Sequence, residues 1–163
     1  MSGTVDIMVN SARWRAQPRA KRTIRAAIDA AAAATRRKNF EVSVMLTHDR
    51  AIRVLNHEWR GFDKATNVLS FPAAQAPGQG NGAKQPLLGD IVIAYETLAR
   101  EAKAEHKAFL HHLSHLAVHG FLHLIGYDHV MSRQAETMEA LERKILARLG
   151  IADPYADAER PHA

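Results

Sequence analysis

Three histidines in one short segment have the spacing needed to bind a single metal ion. His119 and His123 are four residues apart, and His129 follows six residues later. In a helix, residues four apart lie on the same face, so His119 and His123 can reach one ion together. Gly126 allows a sharp turn after that helix, which returns His129 towards the ion. Three protein ligands leave one coordination position for water, as in catalytic rather than structural zinc sites.

This spacing matches the zinc-binding pattern H-E-x-x-H-x-x-G-x-x-H of metzincin metalloproteases, with one difference. Gly120 stands where those proteases carry the glutamate that acts as general base. The ligand spacing therefore predicts a zinc hydrolase, whereas peptidase chemistry lacks its usual proton acceptor. The alternative is a histidine-rich helix whose imidazoles are only solvated or hydrogen-bonded. Three histidines combined with a glycine turn favour the metal site over that alternative.

Two residues beside these histidines are candidates for acid–base chemistry. His115 lies one helical turn before His119 and is predicted either to support the metal site or to transfer protons. A partly buried helix histidine without a catalytic role is the alternative. Asp128, next to His129, either orients an imidazole, accepts a proton, or lies exposed in the turn. The other histidines of this segment are predicted to be surface residues: His106, His111 and His112.

A second cluster, residues 56–67, combines aromatic and basic side chains. Trp59 and Arg60 are adjacent, and Gly61 and Lys64 follow. Unpaired nucleobases stack on aromatic rings and arginine pairs with phosphate, so this cluster suits single-stranded nucleic acid. The competing interpretation places Trp59 in the core and Arg60 in a surface ion pair. Residue chemistry alone does not separate the two interpretations.

Composition limits the classes of protein to which the chain can belong. Of 163 residues, 47% are hydrophobic and 24% are charged, which is typical of a globular protein. Because cysteine is absent, disulfides are excluded and a transition-metal site must use His, Asp or Glu. The net charge of +5 favours polyanionic partners, although many basic proteins bind none. The sequence shows neither a signal peptide nor a run of about 18 apolar residues, which predicts a cytoplasmic protein.

Hydrophobic periodicity predicts the elements that position these residues. The predicted strands are 5–9, 41–46, 67–71 and 89–94, and the predicted helices are 19–37, 49–55, 97–124 and 132–149. Asp49 and Ser132 are predicted N-caps, and Gly126 is predicted to end the third helix in a left-handed conformation. Strands and helices do not alternate strictly, which indicates an α+β fold.

The chain is predicted to form one domain over residues 1–163. The segment 73–86 is rich in Pro, Gly, Gln and Ala, and is predicted to be a flexible loop within that domain. Residues 156–163 are predicted to be a loose tail. Too little chain lies on either side of the loop for two separate cores.

In these motifs the sequence closely resembles the YbeY family of bacterial ribosomal-RNA maturation endoribonucleases. The resemblance extends from about residue 46 to residue 155, and the first forty residues match only loosely. Trp59 stands where the family typically carries tyrosine, and it keeps an aromatic face. The matching segments are 55–56, 59–61, 66–72, 88–91, 119–129 and 153–155.

The resemblance implies a fold, an activity and a set of partners. The implied fold is a small, mixed four-stranded sheet packed against several helices, with a zincin-like three-histidine metal site. The implied activity is a zinc-dependent, single-strand-specific endoribonuclease that matures the 3′ end of small-subunit (16S) ribosomal RNA and acts in late ribosome quality control. The implied partners are single-stranded ribosomal RNA, the small ribosomal subunit and its proteins. Neither DNA nor a membrane is expected.

The resemblance also implies roles for individual residues. His119, His123 and His129 correspond to the ligands of one zinc ion. Arg60 corresponds to the basic residue at the catalytic cleft, and His115 also falls within the family pattern.

Two other functions stay open on the sequence alone. One is a zinc peptidase or another zinc hydrolase, against which Gly120 counts. The other is a non-catalytic ribosome assembly factor that binds ribosomal RNA or protein and whose zinc is structural. Within the nuclease interpretation, either a zinc-bound hydroxide or the RNA 2′-hydroxyl attacks the phosphate, and the sequence does not decide between them.

Overall fold

The computed structural model describes residues 3–73, 86–128 and 131–156, and these form the predicted α+β fold. No helix in these three ranges has both the length and the apolarity to span a membrane. The elements are β1 (Thr4–Val9), a 3₁₀ helix (Ala12–Ala16), α1 (Ala20–Ala34), β2 (Glu41–Thr47), α2 (Asp49–Arg60), β3 (Val68–Pro72), β4 (Leu87–Ala94), α3 (Tyr95–Ala104), α4 (Phe109–Leu124) and α5 (Ser132–Arg148).

The four strands form one mixed sheet in the order β1–β2–β4–β3. β1, β2 and β4 run parallel, and β3 pairs antiparallel with β4 at one edge. Ser70 pairs with Ile91, and Leu69 pairs with Val92. Because side chains alternate along a strand, Ser70 and Leu69 point to opposite faces of the sheet. The edge strand β3 therefore contributes to both faces.

Different helices cover the two faces of the sheet. On one face α1 and α4 pack against Val44, Ile91 and Ile93 in the larger core. On the other face α2 packs its Ile52 against Leu69 and other strand residues in a smaller core. α2 and α4 thus lie on opposite faces, so their side chains can share a site only beyond an edge or an end of the sheet.

The predicted continuous helix 97–124 is wrong, because α3 and α4 are separate helices. His106 adopts a left-handed φ of 56°, and the N–H of Lys107 donates to the carbonyl of Ala102 at 2.8 Å. The chain therefore turns between the two helices without a glycine or proline to signal the break. At the other end of α4 the prediction is confirmed, since Gly126 has a φ of 106°.

α2 is longer than the predicted helix 49–55, and its cap differs. The helix continues to Arg60, which brings that side chain to its C-terminal end. The N-cap is His48, whose Nδ1 accepts the N–H of Ala51 at 3.1 Å, while Asp49 is the first helical residue. Histidine is not among the usual N-cap residues, so the sequence favoured its neighbour.

Two smaller features also differ from the predictions. The 3₁₀ helix was not predicted, and it buries Trp14, whose Nε1–H donates to the carbonyl of Thr47 at 2.9 Å. The N-cap of α5 is Met131, and the predicted cap Ser132 is the first helical residue.

The first turns of α2 and α3 are joined by reciprocal hydrogen bonds. The Asp49 carboxylate accepts the N–H and hydroxyl of Thr97 at 3.0 and 2.8 Å, and a guanidinium N–H of Arg100 at 2.9 Å. In return, the Glu96 carboxylate accepts the N–H of Asp49 at 3.0 Å. Burial acts to raise the pKa of Asp49, but the hydrogen bonds from Thr97 and Arg100 outweigh it and lower that pKa.

Replacing this carboxylate is expected to destabilise the protein. Asp49→Ala should lower the free energy of unfolding by about 1–2 kcal/mol at pH 7, because a helix start loses its cap and its charge-assisted bonds. The folded-state pKa of Asp49 is lowered, so this stabilisation is complete above the ordinary value of 3.8 and disappears as the pH falls through the lowered value. Urea unfolding at pH 7 and at pH 3 measures both effects.

Asp63→Ala is the matched control, because it removes an exposed ion pair with Arg53 at 2.8 Å. A smaller loss of stability is expected there, since exposed ion pairs contribute little. Equal losses in Asp49→Ala and Asp63→Ala would contradict the interpretation.

α4 approaches the sheet very closely at Gly120. A Cβ atom at this position would lie 3.0 Å from Cγ2 of Ile91 and 3.2 Å from Oγ of Ser70. The Ser70 hydroxyl also donates to the carbonyl of Gly120 at 3.1 Å. Gly120 therefore faces the sheet, and a glutamate here, as in the metzincins, would enter the helix–sheet interface.

Gly120→Glu should consequently fail to restore a protease-like general base and should destabilise the fold instead. We expect a loss of at least about 3 kcal/mol, because overpacking and a buried carboxylate act together. Thermal unfolding followed by circular dichroism measures this loss. His111→Glu introduces the same residue at an exposed position of α4 and should unfold near the wild-type temperature. A stable Gly120→Glu variant would show that α4 can move away from the sheet.

Candidate active site

A cleft of about 400 Å³ opens beside the edge strand β3. It brings together residues from α2, from β3 and the segment before it, from α4, and from the turn after α4. Four candidates from the sequence, Arg60, His119, His123 and Asp128, line the cleft, although Arg60 is 59 positions away from His119. The remaining lining residues are Thr66, Asn67, Val68, Leu69 and Ser70.

α4 positions the two histidines of the cleft. His119 and His123 are one turn apart, and their ring centroids are separated by 4.6 Å. Gly120, which lies between them in the sequence, packs against the sheet, so this part of α4 lies directly on the sheet. The third predicted ligand, His129, lies outside the described residues. Within residues 3–73, 86–128 and 131–156, no group of three or more His, Cys, Asp or Glu side chains is arranged to hold a metal ion.

A buried carboxylate lies behind these histidines. Glu142 of α5 is 0% exposed, and its Oε1 lies 3.1 Å from Nδ1 of His119 and 3.0 Å from Nε2 of His115. The hydroxyl of Tyr155 donates to its Oε2 at 2.9 Å. A carboxylate only accepts hydrogen bonds, so Nδ1 of His119 and Nε2 of His115 must carry the hydrogens. Glu142 thereby fixes the orientation and tautomer of His119.

The protonation state of Glu142 follows from these contacts. Burial acts to raise its pKa, but the hydrogen bonds from His115 and His119, and their charge, lower the pKa to about 2. Burial and the charge of Glu142 together raise the pKa of the Tyr155 hydroxyl. At neutral pH the group is therefore a carboxylate with a phenol and two imidazoles as donors.

The segment after α5 completes this cluster. Tyr155 packs edge-on against the ring of His115, with ring centroids 5.5 Å apart. Its backbone N–H donates to Oδ1 of Asp153 at 2.8 Å, and Asp153 also pairs with Arg143 at 3.2 Å. Lys107 donates to the carbonyl of Pro154 at 3.2 Å. Residues 153–155, which belong to the segments that resemble the family, thus hold the phenol against Glu142.

His115 occupies the position behind His119 and not the wall of the cleft. Its side chain is 14% exposed, and both Glu142 and Tyr155 lie within hydrogen-bond distance of its Nε2. The contacts place His115 among the groups that hold the buried carboxylate. Its predicted role as an acid or base stays a prediction.

A second histidine–carboxylate pair supports another part of the cleft lining. Nε2 of His112 lies 2.8 Å from Oε1 of Glu101, and Nδ2 of Asn67 donates to the same oxygen at 2.8 Å. His112 is only 4% exposed, so its predicted surface position is wrong. Because Asn67 lines the cleft, this pair fixes the segment that enters β3.

Comparison with known proteins places the chain in a family. The family model described as endoribonuclease YbeY matches residues 7–150. The chain belongs to the YbeY family. Two similar relatives, both named endoribonuclease YbeY, come from Bradyrhizobium sp. strain BTAi1 and Rhodopseudomonas palustris strain BisB18. They are 56% and 53% identical to this chain, and the alignments cover 96% and 95% of it and 95% and 94% of the relatives.

A solved structure has the same fold as this chain. The solution structure of TM1509 from Thermotoga maritima superposes with a TM-score of 0.52 over 98% of this chain and 100% of that chain. Its sequence is 20% identical, so the likeness concerns the fold. The mixed sheet and helices predicted for a YbeY family member are thus confirmed.

Sequence reasoning missed Glu142 in this YbeY family member, although a signal was present. Met138, Glu142 and Ile145 lie on one face of α5, and all three are buried. A charged residue at helical spacing among apolar residues is expected to have a buried partner. The identity of that partner was not readable, because His115 and His119 are 27 and 23 positions away.

Glu142→Gln tests the positioning role in the metal-free protein. The glutamine NH₂ cannot accept a hydrogen bond, so one of the donors now facing the carboxylate loses its partner. We expect a loss of about 1–3 kcal/mol in stability and an increase in the Nε2–H tautomer of His119. Chemical denaturation and long-range ¹⁵N–¹H spectra of the imidazoles measure the two effects. Glu136→Gln on the exposed face of α5 is the control and should change neither. A predominant Nε2–H tautomer of His119 in the wild type would contradict the assignment.

Proposed function

We propose that this chain is a metal-dependent endoribonuclease that cleaves single-stranded RNA in the cleft beside β3. The observation that carries the proposal is the meeting of Arg60 with His119 and His123 in one cleft, from helices on opposite faces of the sheet. A cation next to a pair of imidazoles suits a phosphodiester group. Relatives that are more than half identical over nearly the whole chain are named endoribonucleases.

Zinc is the metal we propose, with His119, His123 and His129 as its ligands. Two described features fit this assignment. His119 and His123 share the cleft with ring centroids 4.6 Å apart, and His119 contacts a buried carboxylate through Nδ1. Carboxylate–histidine pairs of this kind are the usual support of a metal-binding imidazole. When bound, zinc would supply a Lewis acid for the phosphate and would lower the pKa of a coordinated water.

The residues of the chain have separate tasks in this proposal. Arg60 pairs with the scissile phosphate and stabilises the negative charge that develops on its oxygens. Glu142 holds His119 in one tautomer, and His115 and Tyr155 hold Glu142. Asn67, which is held by Glu101, keeps its part of the cleft lining in place.

The attacking group defines the products of the reaction. Attack by the RNA 2′-oxygen expels the 5′-oxygen of the next nucleotide and leaves a 2′,3′-cyclic phosphate. Direct attack by water leaves a linear phosphate end. A 2′,3′-cyclic phosphate found by mass spectrometry of the cleaved ends would exclude direct attack by water as the first step.

The biological substrate we propose is the 3′ end of small-subunit ribosomal RNA, with late ribosome quality control in the cytoplasm as the setting. Single-stranded ribosomal RNA and the small subunit with its proteins are the partners. The net charge of +5 is favourable for binding to this polyanion.

Cleavage of an end-labelled, single-stranded precursor of the 16S 3′ region tests the proposed function. The wild-type protein should cut this RNA in the presence of zinc and should leave a duplex of the same sequence intact. His123→Ala should lose both activity and bound zinc. Arg60→Ala should keep the zinc and lose activity by about 100-fold or more, because a group that stabilises developing charge is removed. Metal analysis of each preparation accompanies the assay.

Two controls match these variants. Arg50→Ala removes an exposed cation from the same helix as Arg60, and His111→Ala removes an exposed histidine from α4. Neither residue lines the cleft, and both variants should cut like the wild type. Equal cleavage by every preparation would identify the activity as a contaminant and would refute the proposal.

A further inference from the structure

Two exposed aromatic side chains are close in sequence to Arg60, which lines the cleft. Six large hydrophobic residues are exposed in the described part of the chain: Met8, Val9, Val54, Trp59, Phe62 and Met131. The two aromatic ones, Trp59 and Phe62, are 46% and 49% exposed, and they lie on either side of Arg60 in the sequence. Single exposed apolar residues are common and need no explanation, whereas two exposed rings beside a cleft cation form a distinct surface.

The turn that presents Phe62 is held by well-defined contacts. Gly61 has a φ of 78°, and the N–H of Phe62 donates to the carbonyl of Asn56 at 3.3 Å. Asn56 is 1% exposed, and its Nδ2 donates to the carbonyl of Lys64 at 2.9 Å. The buried residue Asn56 therefore holds the turn through its carbonyl and its side chain. Phe62 is exposed on a segment whose backbone is fixed by these bonds.

Trp59 is anchored in a different way. Its ring packs edge-on against Phe71 of β3, with centroids 5.9 Å apart. Trp59 thus has one contact in the smaller core and a large exposed area. Trp59 is therefore only partly a core residue, and its predicted stacking on nucleic acid stays a prediction.

Two cations contact the ring of Phe62. Cζ of Arg60 lies 5.3 Å from the ring centroid, and Nζ of Lys64 lies 5.7 Å from it. Arg60 also lines the cleft with His119 and His123. Phe62 is therefore only one side chain away from the proposed position of the scissile phosphate.

We propose that Phe62 stacks on an unpaired RNA base next to the phosphate that Arg60 binds. A base stacked on an aromatic ring is held more strongly than an exposed cation on that ring, so a base can displace a cation. The displaced side chain, Arg60 or Lys64, remains beside the phosphate of the same nucleotide. In a duplex the faces of the bases are already covered, so the surface selects unpaired nucleotides. This inference rests on the proposed function and names the group that recognises the substrate.

Binding of a short, fluorescein-labelled, single-stranded RNA to the full chain tests the inference. Anisotropy is measured with EDTA present, so that cleavage does not interfere. Phe62→Ala should raise the Kd by about tenfold, the size expected for one stacked base. Phe62→Tyr should bind within about threefold of the wild type, because it keeps the ring. Val54→Ala removes a residue on α2 that is 51% exposed and should bind like the wild type.

A series of RNAs, each with one abasic nucleotide at a different position, identifies the base. At one position, the abasic RNA should bind the wild type about tenfold more weakly than the intact RNA does. Phe62→Ala should bind this abasic RNA and the intact RNA with the same Kd. Thermal unfolding should show Phe62→Ala close to the wild type. Three results would overturn the inference: unchanged Kd in Phe62→Ala, an equal loss for duplex RNA, or no abasic position that removes the effect.

Failure of this inference and failure of the proposed function give different results. If the wild type cuts single-stranded RNA with zinc and Phe62→Ala binds normally, only the stacking role is refuted. If the wild type neither binds nor cuts that RNA, the proposed function itself is refuted.

Discussion

The buried carboxylate of Glu142 is the constraint on which the arrangement of the site depends. Removing an ion of this size from water costs several kcal/mol unless charge-assisted hydrogen bonds replace the solvent. Here those bonds come from His115 and His119 of α4 and from Tyr155 beyond α5. The folded chain can bury Glu142 only when α4, α5 and residues 151–156 are all in place, so the same requirement that stabilises the fold also fixes an imidazole of the cleft.

The cleft itself is divided between two independently supported parts. α4 lies on the larger core, where Gly120 sets its distance from the sheet. α2 lies on the smaller core, where Asp49 joins it to the start of α3. The edge strand β3 belongs to both cores, and its residues form the floor between Arg60 and the histidines. The relative position of cation and imidazoles therefore depends on a strand that, among the described residues, pairs only with β4.

Local patterns accounted for most of the elements, and contacts distant in sequence accounted for what was missed. The alternating strands and the pair His119 and His123 were predictable, because period and spacing are properties of short segments. The break at His106 was not, since no glycine or proline marks it and tertiary packing decides whether a non-glycine residue adopts a positive φ.

The same difference applies within the site. Placing Arg60 in the cleft required family resemblance, because no local rule brings α2 to α4 around a sheet edge. The partners of Glu142 and Glu101 needed the fold itself, since each joins different helices. What sequence patterns give reliably is the chemistry available on one element, whereas the pairing of elements follows from packing.

The close approach at Gly120 has an evolutionary consequence. This residue carries no reactive group, yet every substitution adds a Cβ at 3.0–3.2 Å from Ile91 and Ser70, so these side chains or the helix that presents both histidines must shift. Selection on the geometry of the site therefore favours the residue that has no Cβ atom. Among descendants of this chain, Gly120 should be retained as strictly as the histidines beside it, and a search for important residues that considers only reactive side chains would overlook it.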